Sequence, residues 1–488
     1  MALSKNSFVL NSAKLLAGSV VAQGLGVVVV PILSRLFAPE AFGVAALFMS
    51  IAGIISVVAC LRYDLSIMSP SSDEEASNLL GLSLLFVILV SGITYVIMLF
   101  ADEHIAVLLK APKILSLLWL IPIAVFSNGA FLAFTYWNSR KQNFGRLSIV
   151  RLVSSAVTQV GSIAAGFGGF VGGGALVVAR ILGQFISMIM LGVQIWRSDH
   201  RLFIENINWD KMITGLKRYK LFPIFNTWSA FLNTASQILP NLFLGYFFST
   251  KVVGFFSFAI FVLFLPTSLI GQAIGQVFFQ KSSQAKHQGR LGFLVNGVYQ
   301  RLVALSLFPL IIIMILGKDL FAFIFGPEWS EAGVYAQILS PWIFVAFIYS
   351  PLTYLFIVLE AQKEALITDT TLFILRCIAL IIGGYLSDQR MAILLFSLVG
   401  TIVLCGMIVW FLVRSGASLG EGAVFLFHSM LISTPLIIII AMSSYVMKHD
   451  FYITLILIVF CAVAYYALVL YRDTYLRAQL GDLMKKIV

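Results

Sequence analysis

Three arginines stand inside otherwise apolar stretches of the sequence, where a charge is costly. They are Arg180 in "VVARILGQF", Arg301 in "VYQRLVAL" and Arg376 in "FILRCIAL". A charge at the centre of a bilayer costs at least about 2.5 kcal/mol on insertion scales, so such a residue usually faces a partner or a water-filled cavity. Arginine stays protonated, and its planar donors pair two phosphate oxygens at once. The three residues therefore indicate a cationic interior that accepts an anion, and the alternative is structural pairing with a neighbour.

Acidic residues are rare in these stretches. Asp64, Asp369 and Glu360 are the candidates for binding a coupling proton or sodium ion. In the alternative interpretation, Asp64 simply pairs with Arg62 across a helix end. Arg151 also lies near the end of an apolar stretch, and we expect its head group to reach the membrane interface rather than a cavity.

The composition identifies the class of protein. Apolar residues make up 60% of the chain, charged residues 11%, and the mean hydropathy is +1.00. Soluble domains carry about 25% charged residues, so this chain has too little charge to cover a surface facing water. The apolar runs have the length of helices rather than the short alternation of β-barrel strands. The sequence therefore predicts an all-α polytopic membrane protein.

The apolar runs divide into fourteen candidate transmembrane helices of about 20 residues each. They lie near 14–34, 42–66, 79–101, 113–136, 147–168, 171–196, 221–248, 252–279, 293–317, 333–359, 364–386, 391–413, 423–447 and 451–471. If the N-terminus is cytoplasmic, 22 lysines and arginines fall on the cytoplasmic side, 7 fall outside and three lie within the spans. Cytoplasmic loops are rich in Lys and Arg, so both termini are predicted to be cytoplasmic. The net charge of +11 is scattered among short loops, which argues against a nucleic-acid partner.

A polar stretch at 197–220 marks the middle of the chain. Trp209, Met212, Leu216 and Tyr219 recur at helical spacing within it, which favours an amphipathic helix at the membrane interface over a charged loop. We therefore predict an N-terminal lobe of six spans (1–196), a cytoplasmic connector (197–220), a C-terminal lobe of six spans (221–414), and two final spans with a tail (415–488). The lobes are expected to be pseudo-symmetric.

A short pattern supports this division. Phe37 and Gly43 in "PILSRLFAPEAFG" match Phe248 and Gly254 in "LFLGYFFSTKVVG". We interpret both as the tight outer turn after the first helix of a lobe. A second correspondence links "YWNSRKQNFGRLSIVRL" after the fourth span with "VLEAQKEALITDTTLFILR" after the tenth. Six spans per half indicate a parallel repeat of the kind found in transporters. Arg35 has no arginine counterpart in the repeat, which makes it a further candidate for anion binding.

Several stretches together resemble one family. Residues 215–281, which begin "GLKRYKLFPIFN", residues 325–356, which begin "FGPEWSEAGVYAQ", and the N-terminal "LSRLFAPEAFGVAAL" and "RYDLSIMSP" resemble bacterial polysaccharide-export flippases of the Wzx type. These belong to the multidrug/oligosaccharidyl-lipid/polysaccharide exporter (MOP) superfamily. The resemblance covers roughly residues 10–415.

The resemblance implies a fold, a function and its partners. The fold would be two six-helix lobes around a central cavity. The resemblance also implies that the protein moves undecaprenyl-pyrophosphate-linked oligosaccharide from the cytoplasmic to the outer leaflet of a bacterial inner membrane, for O-antigen, capsule or exopolysaccharide synthesis. A polysaccharide polymerase and a chain-length regulator would then be partners. Four polar residues in the matching stretches are candidates for lining the cavity, with interhelical hydrogen bonding as the alternative. They are Asn226, Asn233, Gln272 and Gln276.

Two other functions compete. A multidrug antiporter of the same superfamily would rely on acids in the membrane, whereas arginines outnumber acids here. A membrane polysaccharide polymerase or ligase would need a large outer loop with catalytic side chains, and the sequence carries no nucleotide-binding or hydrolase motif. The four cysteines and five histidines are dispersed, so we predict no metal, no cofactor and no enzymatic chemistry.

Overall fold

A computed structural model describes residues 23–267, 271–446 and 451–472. These residues form helices and turns, and no β-strand occurs among them. The predicted all-α class is therefore confirmed.

The helices follow one another with short connections. Their bounds are α1 Gln23–Leu36, α2 Pro39–Val58, α3 Tyr63–Ser66, α4 Asp73–Leu108, α5 Leu115–Leu118, α6 Ile121–Arg140, α7 Phe144–Phe167, α8 Gly173–Asn206, α9 Trp209–Arg218, α10 Thr227–Phe247, α11 Thr250–Pro266, α12 Gln272–His287, α13 Leu291–Phe325, α14 Ser330–Leu352, α15 Leu355–Val358, α16 Gln362–Tyr385, α17 Gln389–Ser415, α18 Leu419–Val446 and α19 Phe451–Arg472. Short 3₁₀ helices stand at Pro112–Ile114 and Pro327–Trp329, and a π-helix at Phe222–Asn226 leads into α10.

Within the described residues, each of the fourteen predicted spans overlaps one of these helices or two consecutive helices. Residues 14–22 of the first predicted span, 268–270 of the eighth and 447 of the thirteenth lie outside the described part of the chain. Ten described helices are long and apolar enough to cross a membrane. An eleventh span arises if Pro112–Leu118 and Ile121–Arg140, which meet at a 55° bend, count as one. The protein is thus a multi-pass membrane protein, while the total of fourteen stays a prediction. At 1.5 Å per residue, the 36 residues of α4 extend over about 54 Å, well beyond a hydrocarbon core of about 30 Å.

Contacts group the chain into two compact units. The first holds the described residues up to Phe258 together with Asp369–Ala392, and the second holds Ala259–Thr368 and the described residues from Ile393 onward. The first unit includes α10, which packs closely on α2. The predicted lobes, with boundaries at 197–220 and 414, were inferred from repeats in the sequence, whereas the two units reflect contacts in the structure. The division into lobes therefore stays a prediction.

The repeated glycines meet each other within the first unit. Gly43 is the fifth residue of α2, and Gly254 is the fifth residue of α11. A Cβ atom at Gly43 would collide with the Thr250 carbonyl oxygen, and one at Gly254 would collide with the Pro39 carbonyl oxygen. Both occurrences also lie at a two-residue connection between helices, because α1 ends at Leu36 before α2 begins at Pro39, and α10 ends at Phe247 before α11 begins at Thr250. The glycines of the pattern therefore bring two helices backbone to backbone, while the interpretation as the outer turn of each lobe stays a prediction.

Turn conformations also repeat along the chain. Lys110 has a φ of 49°, Gly326 has a φ of 111°, and each precedes a 3₁₀ helix that begins with proline. Gln142 and Glu360, which follow the fourth and tenth predicted spans, both have a φ of 58°. Left-handed backbone at non-glycine residues is uncommon, so Gln142 and Glu360 share an unusual turn conformation, and the repeat itself stays a prediction.

The predicted connector contains the helix α9. Met212 is buried against α4. Arg218 pairs with Glu75 at 2.8 Å, and the Tyr219 hydroxyl donates a hydrogen bond to the same carboxylate. Burial and the Glu75 carboxylate raise the pKa of Tyr219. The helix is therefore docked on one end of α4.

The opposite side of α9 faces away from the protein. Lys211 and Lys217 are exposed, and Trp209 is 62% exposed. This pairing of basic residues with a large aromatic suits an interfacial helix, and its position at the membrane surface stays a prediction.

A charged cluster joins the ends of α4, α6 and α8. Asp73 accepts hydrogen bonds from Arg140 Nε at 2.9 Å and from Lys141 Nζ at 2.6 Å. Trp137 Nε1 donates to Asp199 Oδ2 at 2.9 Å. The Arg140 side chain is only 12% exposed. Dissolved salt therefore screens its ion pair with Asp73 only weakly. They fix two of the helices that contribute to the site described next.

Candidate functional site

Two antiparallel helices, α7 and α8, come unusually close in the first unit. A Cβ atom at Gly183 would lie 2.7 Å from the Ser154 carbonyl oxygen and closer still to the Thr158 hydroxyl. One turn further on, the Ser187 hydroxyl donates to its own helix and approaches the Val150 carbonyl oxygen at 3.4 Å. Gly183 therefore lies level with Ser154, and Ser187 lies level with Val150.

One face of α7 beside this contact is polar. Five residues spaced at i, i+3, i+4, i+7 and i+8 share the face: Arg151, Ser154, Ser155, Thr158 and Gln159. Residues at this spacing form a continuous stripe along a helix. Because the helix lies within a predicted span, the stripe is polar surface at membrane depth.

The stripe lines a cavity of about 280 Å³. Its other walls come from α1, α6 and α8. The lining residues are Gln23, Phe131, Arg151, Ser154, Ser155, Thr158, Gln159, Arg180 and Gln184. Small-ligand sites usually measure about 300–1,000 Å³, so this cavity suits one portion of a larger ligand.

The two arginines line the cavity from different helices, Arg151 from α7 and Arg180 from α8. Arg180 lies just before Gly183 on α8 and so stands near Thr158. Arg151 is seven residues before Thr158 on α7, which corresponds to about 10 Å along the helix axis. Arg180 is exposed to the cavity and has no ion-pair partner among the described residues. Arg180 thus lies in a cavity wall, and its role in binding substrate stays a prediction.

Arg151 is placed differently from the sequence expectation. Its side chain is half-buried and lines the cavity instead of lying only at the interface. The polar stripe on α7 was the signal that could have identified it, together with Ser154, Ser155, Thr158 and Gln159. A lone arginine near a span end suggests snorkelling, whereas an arginine that begins a polar stripe suggests a wet cavity.

A second polar cluster joins α10 and α16 within the same unit. Arg376 is 7% exposed, and its Nη1 donates to the Ser236 hydroxyl at 3.4 Å. The half-buried Asp369 interacts with the charge of Arg376 and hydrogen-bonds the Asn233 side chain. Gln237 Nε2 in turn donates to Asn233 Oδ1 at 2.9 Å. The structure thus brings together three residues that the sequence identified separately.

Asp64 occupies a third polar position. It is fully buried in α3, and no other described side chain hydrogen-bonds either carboxylate oxygen. The charge of Arg62 and the backbone N–H groups of Asp64 and Leu65 act on this buried carboxylate. Leu61 and Arg62 both have left-handed backbone, with φ values of 46° and 60°. A strained turn therefore holds this acid–base pair between α2 and α4.

The other predicted residues lie apart from these clusters. Arg35 and Asn226 are exposed, and Arg301 is half-buried in α13 of the second unit. Glu360 has an 83% exposed side chain and pairs with Lys286 at 3.5 Å. Gln272 and Gln276 lie on α12, and their side chains are outside the described part of the structure.

The class of protein is thus a polytopic helical membrane protein whose first unit holds an arginine-bearing polar cavity. The sequence profile of the polysaccharide biosynthesis protein family matches residues 32–334, more than half of the chain. The chain belongs to this family. A search of the curated proteins finds no match.

Solved structures give the fold. The chain is similar to the lipid II flippase MurJ in an inward closed conformation, with a TM-score of 0.72, 13% identity, and coverage of 95% of this chain and 99% of that one. It is also similar to an inward-facing multidrug resistance MATE transporter of the MOP superfamily, with a TM-score of 0.66, 14% identity and coverage of 81% and 94%. A MOP superfamily transporter from Pyrococcus furiosus gives a TM-score of 0.53, 12% identity and coverage of 83% and 95%. The chain therefore has the fold of a flippase or transporter of this superfamily, and the resemblance found in the sequence is confirmed.

Proposed function

We propose that the protein moves undecaprenyl-pyrophosphate-linked oligosaccharide from the cytoplasmic to the outer leaflet of a bacterial inner membrane. The product would supply O-antigen, capsule or exopolysaccharide synthesis through a polysaccharide polymerase and a chain-length regulator. The proposal includes no chemistry on the substrate. Two findings support the proposal: the family to which the chain belongs, and a fold similar to that of a protein named as a lipid II flippase.

The observation that carries the proposal is the cavity of Arg151 and Arg180. A lipid-linked glycan must take a charged and hydrated head group past hydrocarbon. Fixed arginines replace the lost hydration with charge-assisted hydrogen bonds, which are about twice as strong as neutral ones. An arginine-lined path favours an anionic cargo, whereas it would repel a cationic drug.

Helix breaks offer places where the protein could bend during transport. Prolines lie inside α10, α11, α13 and α14, and a π-helix precedes α10. Helix kinks occur at such positions, so we assign these helices the movement that exposes the cavity to each side in turn.

Coupling to an ion gradient belongs to the same proposal. Asp64 and Asp369 are shielded and each faces an arginine, so binding of a proton would change the local charge balance. Glu360 is exposed and ion-paired, which makes it the least suited of the three predicted acids.

The test is depletion of the protein in its own host, followed by extraction of polyprenyl lipids. We expect pyrophosphate-linked oligosaccharide to accumulate on the cytoplasmic leaflet and surface polysaccharide to be lost. Re-expression of the wild-type chain should reverse both effects. The control is re-expression of Arg197→Gln in the depleted host. This variant removes an exposed arginine from the same helix as Arg180, and it should restore export fully.

Two outcomes would reject the proposal. Unchanged lipid intermediates and surface polysaccharide, with increased sensitivity to cationic drugs, would identify a multidrug antiporter instead. Accumulation of intermediates on the outer leaflet would place the block after translocation and would indicate a polymerase or ligase.

A further inference from the structure

The connector helix α9 carries two separate apolar stripes. The first is docked on α4, where Met212 is buried and a Cβ atom at Gly215 would lie 3.1 Å from the Leu79 side chain. The second consists of Trp209 and Ile213, which are 62% and 38% exposed. Residues four positions apart lie on the same face of a helix, so this second stripe forms a continuous apolar surface that the described part of the protein leaves open.

Hydrogen bonds fix α9 in this orientation. Asn78 of α4 donates to the Asn206 carbonyl oxygen at 2.9 Å and accepts from the Asn208 backbone N–H at 3.0 Å, which anchors the turn before the helix. The Tyr63 hydroxyl donates to the Leu216 carbonyl oxygen at 3.0 Å near the other end of the helix. The open stripe is therefore a fixed feature of a docked helix.

The helix lies where the apolar sequence of α4 begins. Leu79, on which α9 packs, is the first residue of the predicted span 79–101, and the acidic residues at 73–75 precede it. A Cβ atom at Gly81 would lie 3.6 Å from the methyl carbon of Met212. An interfacial helix lies at this kind of boundary between polar and apolar surroundings. The open stripe of α9 is thus level with the first turns of a predicted span.

Basic side chains accompany the open stripe. Lys217 lies four residues after Ile213 and continues the same face, and Lys220 lies two residues beyond the end of the helix. Both lysines are exposed, and neither forms an ion pair among the described residues. Asp210, which is also exposed, is the acidic residue of α9. Basic residues beside a large aromatic residue are the combination that binds an anionic membrane surface.

We propose that Trp209, Ile213, Lys217 and Lys220 form a binding surface for anionic phospholipids of the surrounding bilayer. The two apolar side chains enter the boundary between head groups and acyl chains, and the two ammonium groups bind phosphate oxygens. This surface is separate from the path of the cargo. It makes the docking of α9 on α4, and with it the connection from α8 to α10, depend on the lipid composition of the membrane.

The experiment uses the full chain in nanodiscs made from a fixed mixture of phosphatidylcholine and phosphatidylglycerol. In each sample only one of the two lipids carries bromine on its acyl chains, where bromine quenches the fluorescence of a nearby tryptophan. The chain has 8 tryptophans, so the signal of Trp209 is taken as the difference from Trp209→Phe in each background. These membranes contain no polyprenyl lipid, so the result does not depend on the proposed cargo.

We expect brominated phosphatidylglycerol to quench Trp209 more strongly than brominated phosphatidylcholine at the same mole fraction. A basic residue near an anionic membrane surface contributes a preference of roughly fivefold, so Lys217→Gln combined with Lys220→Gln should lose most of the difference. The control removes two exposed lysines elsewhere, by Lys281→Gln on α12 and Lys363→Gln on α16, and should keep it. Salt at about 1 M, where the Debye length is about 3 Å, should weaken the preference of the wild-type chain.

Three results would overturn the proposal. Absence of quenching by either brominated lipid would show that Trp209 faces water or a protein partner. Equal quenching by both lipids would identify an interfacial helix without a preference for anionic lipid. A preference that survives both the lysine substitutions and high salt would assign it to other residues. Melting temperatures of the variants are measured in parallel, and the salt dependence of the wild-type chain requires no substitution of a lysine.

Discussion

The crossing of α2 and α11 at Gly43 and Gly254 permits a quantitative prediction. An alanine at Gly43 would place a methyl group against the Thr250 carbonyl oxygen. The obstacle is backbone, so no side-chain rotation can relieve it and the helices must separate. Overpacking in a tight contact costs about 1–3 kcal/mol, which corresponds to a shift of roughly 5- to 150-fold against the crossed conformation.

Cross-linking measures this shift. Asn241 Nδ2 donates to Ser50 Oγ at 3.0 Å, so Ser50→Cys with Asn241→Cys reports the proximity of α2 to α10, the helix directly before α11. The four native cysteines would first be replaced. We expect Gly43→Ala to slow disulfide formation between the new cysteines and to lower the melting temperature. The control is Gly92→Ala on α4, where an added methyl group meets no atom within 4 Å.

The reciprocal geometry makes the prediction sharper. Gly254→Ala should act like Gly43→Ala because its methyl group meets the Pro39 carbonyl oxygen across the same crossing. One separation of the helices relieves both collisions, so the double variant should cost less than the sum of the two single ones. If Gly43→Ala cross-links and melts like Gly92→Ala, or if the two costs simply add, the crossing does not control helix separation.

Three further predictions concern charges and packing. Asp73→Asn should lower the free energy of unfolding by about 1–3 kcal/mol, since two buried or half-buried cations lose a carboxylate, while Glu74→Gln, at an exposed neighbour, should have little effect in the same denaturation assay. Arg376→Met should destabilise the protein more when Asp369 is present than in an Asp369→Asn background, and a double-mutant cycle that gives no coupling between the two would show that they do not interact. Gly183→Ala should lower the melting temperature and Gly183→Val should lower it further, because the side chain is forced between two helices; equal melting temperatures for all three proteins would contradict the close packing of α7 and α8.

The sequence was sufficient for the fold class because a span is a local property. About 20 consecutive apolar residues predict a helix wherever they occur, and the described part of each predicted span overlaps helix. The Phe37 and Gly43 pattern was also visible in the sequence. Its cause was not, because a contact between two glycines 211 positions apart depends on packing that no single segment encodes.

The candidate site was predictable in part. Arg180, Arg376 and Asp369 were identified because an ionised residue inside an apolar run is costly wherever it faces. Arg151 was assigned to the membrane interface because the sequence shows how close it lies to the end of a predicted span. The sequence does not show which cavity wall the residue lines, since that depends on the packing of several helices. The spacing of the polar residues that follow it was the local signal of a lined cavity.

The polar stripe of α7 also has a structural explanation, because small polar residues often join transmembrane helices. The contact between α7 and α8 argues against that reading. It is made at Gly183 and Ser187, which approach the backbone carbonyl oxygens of Ser154 and Val150. The residues that join the helices are thus small, and they bring backbone against backbone. The arginine and amide side chains beside this line face the cavity instead. The two arginines are therefore not needed to bring α7 and α8 together at Gly183 and Ser187, and a role in binding an anionic ligand stays the proposal that their place in the cavity wall supports.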